Sequence, residues 1–190
     1  MPYLINKDIQ NLINVNFIKK SSSFNKNQIQ PASLDLSLSS KCYRIKASFI
    51  PNKQPISKII NELSLVQIDL NKEYLFEKNC IYLCELNESL NLPEKIKGKA
   101  NPKSTTGRLD IFTRLITEYG TEYDEINYGY TGKLYLEIIP QSFSIELKKN
   151  ICLNQVRFFE GSDETFKEIK NFCFIQKVKY LHIGQKITSS

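Results

Sequence analysis

The residues best suited to chemistry lie in the stretch Asn101-Pro102-Lys103-Ser104-Thr105-Thr106-Gly107-Arg108. Two fixed positive charges, Lys103 and Arg108, flank a run of hydroxyls and small residues whose backbone N–H groups can be reached. Cations, hydroxyls and backbone amides together are what a polyphosphate binds. The Pro, the Gly and the small polar residues predict a loop or turn. Read alone, the eight residues fit a solvated surface turn equally well.

Metal chemistry is disfavoured. A zinc site built from Cys and His wants paired ligands at short spacing. Here one histidine, His182, stands with five scattered cysteines: Cys42, Cys80, Cys84, Cys152 and Cys173. Several lie in apolar runs, so they read as buried free thiols of a reducing compartment. Cys80 and Cys84 are four apart in a strand-like run, which predicts one shared face.

The elements that must position the stretch are mostly strands. Residues 6–13 open like a helix, with Asn6 as N-cap and Ile9, Leu12 and Ile13 on one face. Residues 19–27 read as a polar loop. Leu34, Leu36 and Leu38 alternate with Asp35, Ser37 and Ser39, the pattern of a half-buried strand. Asp35 is either a structural carboxylate, the favoured reading, or a site residue. Strands are predicted over residues 42–47, 66–70, 73–76, 80–86 and 111–116, and a short helix over 56–65. Thr117 to Asn127 is irregular and Gly129 to Gly132 a turn. In the strand over 133–139, Leu134, Leu136 and Ile138 share one face, which leaves Tyr135 and Glu137 on the other. Residues 143–147 and 152–158 complete the strands, and 163–170 suit a helix. Short strands between frequent turns, with one or two helices, predict a mostly β single domain over residues 1–190.

At 190 residues the chain can bury a real core. Its formal net charge of +6 is spread along it, which suits an anionic small ligand better than nucleic acid. No segment reaches the ~20 apolar residues of a membrane span, and the first residues lack a signal-peptide core. A cytoplasmic protein is expected.

Four segments in order carry a resemblance: Pro31-Ala32-Ser33-Leu34-Asp35-Leu36; Pro102 to Arg108; Gly129-Tyr130-Thr131-Gly132 with Glu137 five residues on; and Leu153-Asn154-Gln155-Val156-Arg157-Phe158. Together they resemble the dCTP deaminase and dUTPase superfamily, from the N-terminal helix to about Gly161. Asn101 to Thr113 is most similar to the first copy of long, two-copy bacterial dCTP deaminases, so the chain reads as one copy standing alone or part of a longer parent. The resemblance implies a dUTPase-like β-clip or distorted β-barrel, assembled as a homotrimer with shared active sites.

It also implies roles. Glu137 matches the deaminases' glutamate, the group that takes a proton from water and returns it to the ring and the leaving amine. The alternative is a surface glutamate on an edge strand. Asn127 stands where dUTPases carry their water-activating aspartate. An amide cannot be a general base, but it can bond a deoxyribose 3′-hydroxyl. Asp124 is the neighbouring carboxylate if the register differs. Ser104 and Arg108 match catalytic positions, Ser104 holding water or a phosphate oxygen and Arg108 stabilising charge from a neighbouring subunit. Lys103 stands where arginine is common. Thr105, Thr106 and Gly107 would offer amides and hydroxyls to phosphates, as would Gln155. Tyr135 and Leu136 would line the base pocket, and the tail with Lys179 and Tyr180 would fold over the triphosphate.

Zinc deaminases need H-x-E and P-C-x-x-C, and neither pattern is present. Water activation without a bound metal is therefore expected, with Mg²⁺ entering on the triphosphate and no zinc. The reading is a hydrolase of a cyclic amidine C–N bond that converts dCTP to dUTP and ammonia for thymidylate supply. Its alternatives are a dUTPase, a bifunctional enzyme giving dUMP, and a non-catalytic nucleotide-binding copy.

Overall fold

The computed structural model describes residues 3–21 and 23–161. Along them run helix α1 (Asn6–Asn14), strand β1 (Ile18–Lys20), a single 3₁₀ turn (Lys26–Gln28), β2 (Leu34–Ile45), helix α2 (Ile56–Leu63), β3 (Ser64–Asp69), β4 (Tyr74–Phe76), β5 (Ile81–Asn91), β6 (Ile96–Pro102), the short helix α3 (Ser104–Arg108), β7 (Ile111–Thr117), β8 (Glu125–Ile126), β9 (Thr131–Pro140), β10 (Ile145–Leu147) and β11 (Cys152–Glu160). The expected mostly β architecture with an N-terminal helix is present. The expected helix over 163–170 and the tail with Lys179 and Tyr180 lie outside the described residues.

Among the described residues nine strands make one antiparallel sheet in the order β7-β9-β5-β2-β11-β6-β8, with β1 beside β5 and β3 beside β2. β4 and β10 form a separate ribbon. The sheet curls: β7 contacts β6, β8 and β11, strands far from it in the order. The result is a nearly closed, barrel-like wall around one apolar core. Strand β2 runs through its middle, pairing with β11 over its first residues and with β3 and β5 over its last.

The alternation of β2 has a different outcome from the one expected. Leu34, Leu36 and Leu38 face the core, but Asp35 and Ser37 are buried too. The 3₁₀ turn and β1 lie over the polar face. There Glu88, fully buried, accepts from Ser37 Oγ at 2.7 Å, the Ser37 amide at 2.9 Å and Gln28 Nε2 at 3.0 Å, with Lys20 Nζ 3.8 Å away. Burial pushes the Glu88 carboxyl above its usual range, against the pull of these donors.

A second apolar cluster lies on the opposite face of β5, β7 and β9. Ile45, Ile56, Leu83, Ile116 and Tyr135 form it, and α2 covers it. Glu118 fastens that cover. It accepts from the Ile56 amide at the start of α2 (3.2 Å) and from the Tyr135 hydroxyl on β9 (2.9 Å).

Several local expectations change. Ser104 to Arg108 forms a helical turn rather than a loop, because Thr106 Oγ donates to the Leu153 carbonyl at 2.8 Å and pins the turn to β11. α1 begins one residue earlier than expected. Ile5 holds the extended capping position, and its amide donates to Asp8 Oδ2 at 3.0 Å. β1 and the 3₁₀ turn replace part of the expected loop over 19–27. Cys42 and Cys84 are joined as a disulfide rather than left as free thiols. They face each other across β2 and β5 with Cα atoms 4.0 Å apart. Cys80, free, precedes β5 and accepts from Arg44, so it does not share the site of Cys84.

The turn before β9 depends on Gly132. Its φ is 155°, and a Cβ there would lie 2.7 Å from Tyr130 Oη, which is fixed by its bonds to the Lys133 carbonyl (2.5 Å) and the Glu118 amide (3.0 Å). Gly132→Ala is expected to destabilise the fold by about 1–3 kcal/mol, read as a lowered thermal midpoint. An unchanged midpoint would show that Tyr130 can step aside.

Candidate active site

The first group of candidate residues gathers where α3 meets β11. Lys103 ends the extended approach to α3, Ser104 opens the helical turn, and Gln155 sits on β11 opposite Asn101. With Ser33, Asp35 and Arg157 they line a cavity of about 490 Å³. Gln155 Oε1 accepts from Ser33 Oγ at 2.9 Å, leaving its amide NH₂ to donate. Lys103 Nζ donates to Asp35 Oδ2, while Asp35 Oδ1 is buried with no partner among the described residues. Lys103 is thus divided between a buried carboxylate and the cavity.

The rest of the stretch is less uniform. Thr105, Gly107 and Arg108 are exposed on α3. Thr106 is buried, with its hydroxyl donated to Leu153, which corrects the expectation that it would offer this hydroxyl to a phosphate.

The second group is Glu137 and the strand beside it. Alternation along β9 sends Leu134, Leu136 and Ile138 into the main core and turns Tyr135 and Glu137 the other way. Leu136 therefore lies on the far side of the sheet from Glu137, a correction to the pocket-lining role expected for it. Tyr135 keeps the face of Glu137. Burial, reinforced by the Glu118 carboxylate, drives its hydroxyl far above the ordinary phenol range, so it stays a neutral donor.

Glu137 is fully buried, which corrects the alternative of a surface glutamate. Its cross-strand neighbour on β7 is Arg114. Arg114 Nε and Nη2 both reach the same oxygen, Glu137 Oε1, at 2.8 and 2.5 Å. Among the described residues Glu137 Oε2 is buried with no partner. The guanidinium lies 3.8 Å from the centroid of the Tyr123 ring and 5.0 Å from that of Phe112. A buried carboxylate oxygen without a donor is costly. Such groups concentrate where a protein does chemistry.

Asn127 joins neither group. It is exposed and lines a separate cleft of about 170 Å³ with Lys97, Glu122 and Glu125. Asp124, the alternative carboxylate, holds a left-handed turn and accepts from the Leu115 amide at 2.7 Å. Burial raises its pKa. Among the described residues no three His, Cys, Asp or Glu side chains gather as a metal site, and no helix is long and apolar enough to cross a membrane.

The order of these groups along the chain finds its match in known proteins. The family profile described as the 2′-deoxycytidine 5′-triphosphate deaminase (DCD) N-terminal domain matches residues 3–162. The chain belongs to the dCTP deaminase family. The crystal structure of a 2′-deoxycytidine 5′-triphosphate deaminase from Agrobacterium tumefaciens superposes with a TM-score of 0.81 at 43% identity, over 84% of this chain. The chain spans about half, 48%, of that protein's length. A "dCTP deaminase, dUMP-forming" from Methanosphaera stadtmanae is 27% identical over 140 residues, covering 73% of this chain and 68% of the relative. The dCTP deaminase fold is thus the frame in which the two groups stand.

Arg114 and Tyr123, which the sequence does not single out, stand beside Glu137, while Ser33 and Arg157, named in the sequence only within the segments that carry the resemblance, line the cavity of Lys103. A single arginine within the apolar run Ile111 to Ile116 is the signal that would have found the first.

The Lys103–Asp35 pair has a direct consequence for stability. Lys103→Met leaves a buried carboxylate unpaired and is expected to cost about 2–4 kcal/mol. Adding Asp35→Asn should recover most of that loss in denaturant unfolding. No recovery in the double variant would show that Lys103 stabilises through packing of its stem instead.

Proposed function

We propose that the chain hydrolyses dCTP to dUTP and ammonia, with Glu137 as the proton carrier. The observation that carries this reading is a fully buried carboxylate with one oxygen held by Arg114 and the other without a partner among the described residues. As a water oxygen bonds to C4 of cytosine, Glu137 takes the water's proton and delivers it to N3. The tetrahedral carbon then carries a hydroxyl and the amine. Glu137 passes the hydroxyl proton to the amine, the C4–N bond breaks, and ammonia leaves a carbonyl at C4. Such positioned proton transfer contributes about 10²–10⁴-fold.

The remaining residues bind and orient. Lys103, the backbone amide of Thr105 and Gln155 take the phosphates, whereas the Gly107 amide, first expected to do the same, donates to the Lys103 carbonyl at 3.1 Å; Lys103 binds as a point charge without arginine's fork. Ser104 holds the attacking water or a phosphate oxygen. Asn127 bonds the deoxyribose 3′-hydroxyl, and Tyr135 walls the base. Mg²⁺ arrives on the triphosphate, held by phosphate oxygens and water. Exposed Arg108 and the separation of Asn127 from the cavity of Lys103 fit a homotrimer in which neighbouring chains complete each site.

The name of the Methanosphaera relative favours a second reading, in which dUTP is further cleaved to dUMP. Asn127 weighs against it, since an amide cannot activate the second water.

Glu137→Gln keeps the shape and removes the proton carrier. It is expected to lower ammonia release from dCTP by at least about 10³-fold, with dCTP affinity within about tenfold of the parent by calorimetry. Full activity in this variant would refute the role of Glu137.

A further inference from the structure

We propose that Arg114 is a positioning residue that fixes which oxygen of Glu137 carries the proton. The inference rests on the assignment of Glu137 as the proton carrier and adds a residue to it. A purely structural ion pair would be expected to spread its donors over both oxygens, the bidentate fork that guanidinium and carboxylate prefer. Here Nε and Nη2 converge on Oε1, and Oε2, equally buried, receives no donor from the described residues. The two oxygens of one carboxylate are thereby made chemically distinct. Oε1 has its lone pairs occupied by two N–H donors, so a proton is taken up and released at Oε2.

The surroundings keep this asymmetry in place. Arg114 faces Glu137 directly in the β7–β9 register, so neither side chain has to reach. The guanidinium is stacked on Tyr123, with Phe112 further off, which fixes its plane and with it the direction of both N–H groups. On the third strand, Leu83 stands beside Glu137 and offers no polar group.

The test compares steady-state kinetics of Arg114→Ala, Arg114→Lys and Tyr123→Leu with dCTP, beside Glu137→Gln. For Arg114→Ala, kcat should fall by about 10²-fold while KM stays within threefold. Arg114→Lys, which keeps the charge but loses the fork, should regain part of the loss. Tyr123→Leu should fall between Arg114→Lys and the parent. Millimolar guanidinium should raise kcat of Arg114→Ala several-fold and leave the parent and Glu137→Gln unchanged. If Arg114→Ala does not fold, because its removal strands a buried carboxylate, the kcat of Arg114→Lys decides. Parent-like kcat in Arg114→Lys and Arg114→Ala, with Glu137→Gln inactive, would overturn the role of Arg114 and leave Glu137 standing. So would a loss in Arg114→Ala that guanidinium does not restore. An active Glu137→Gln would instead overturn the reading beneath both.

Discussion

A carboxylate taken fully out of water needs a partner, and Glu137 has half of one. Its pairing with Arg114 across β7 and β9 is the constraint on which this face of the protein depends. Removing the charge from water costs several kcal/mol per ion in a folded protein. That cost is offset at one oxygen by two charge-assisted bonds and left standing at the other. The sheet must therefore hold β7 and β9 in strict register, since a slip of one residue would turn Glu137 into the apolar core and Leu136 out of it.

The supports of that register can be named. Thr113, next to Arg114 on β7, has its hydroxyl against Asn154 Nδ2 on β11 at 3.3 Å, which ties the curled sheet together across the core. Asp124 clamps the loop that brings Tyr123 over the guanidinium, through its bond from the Leu115 amide. Glu118 binds the start of α2 and the Tyr135 hydroxyl at once, so the cover of the second apolar cluster and the strand bearing Glu137 are fastened by one carboxylate. The cavity beside Lys103 and Gln155 is built separately, from the α3 turn and β11, and is coupled to β7 through the short chain from Ser104 to Ile111.

How much of this was legible in the sequence follows from what each feature depends on. The face of Glu137 could be read from period-two alternation over residues 133–139, because that is a local property of the strand. Most strands could be found in the same way. Arg114 could not be matched to Glu137, because cross-strand partners are set by register, and register is tertiary. The same holds for Cys42 and Cys84, and for the burial of Asp35 and Ser37, which depends on what lies over β2. Strand β6 was missed because Ile96, Gly98 and Ala100 make a weak inward face between lysines. The α3 turn was read as a loop because Ser, Thr and Gly are poor helix formers; its anchor, Thr106 to the Leu153 carbonyl, lies forty-seven residues away in the chain. The roles proposed for Ser104, Gln155 and Asn127 rest on resemblance to a family; the match over residues 3–162 establishes membership in that family and not the roles.

The most direct measurement of the central claim is a time course of the purified chain with dCTP and Mg²⁺ that follows ammonia, dUTP and pyrophosphate together. The account predicts ammonia and dUTP appearing in equal amounts, with no pyrophosphate. Tight dCTP binding without ammonia, or pyrophosphate released from dUTP in the absence of any deamination, would contradict it.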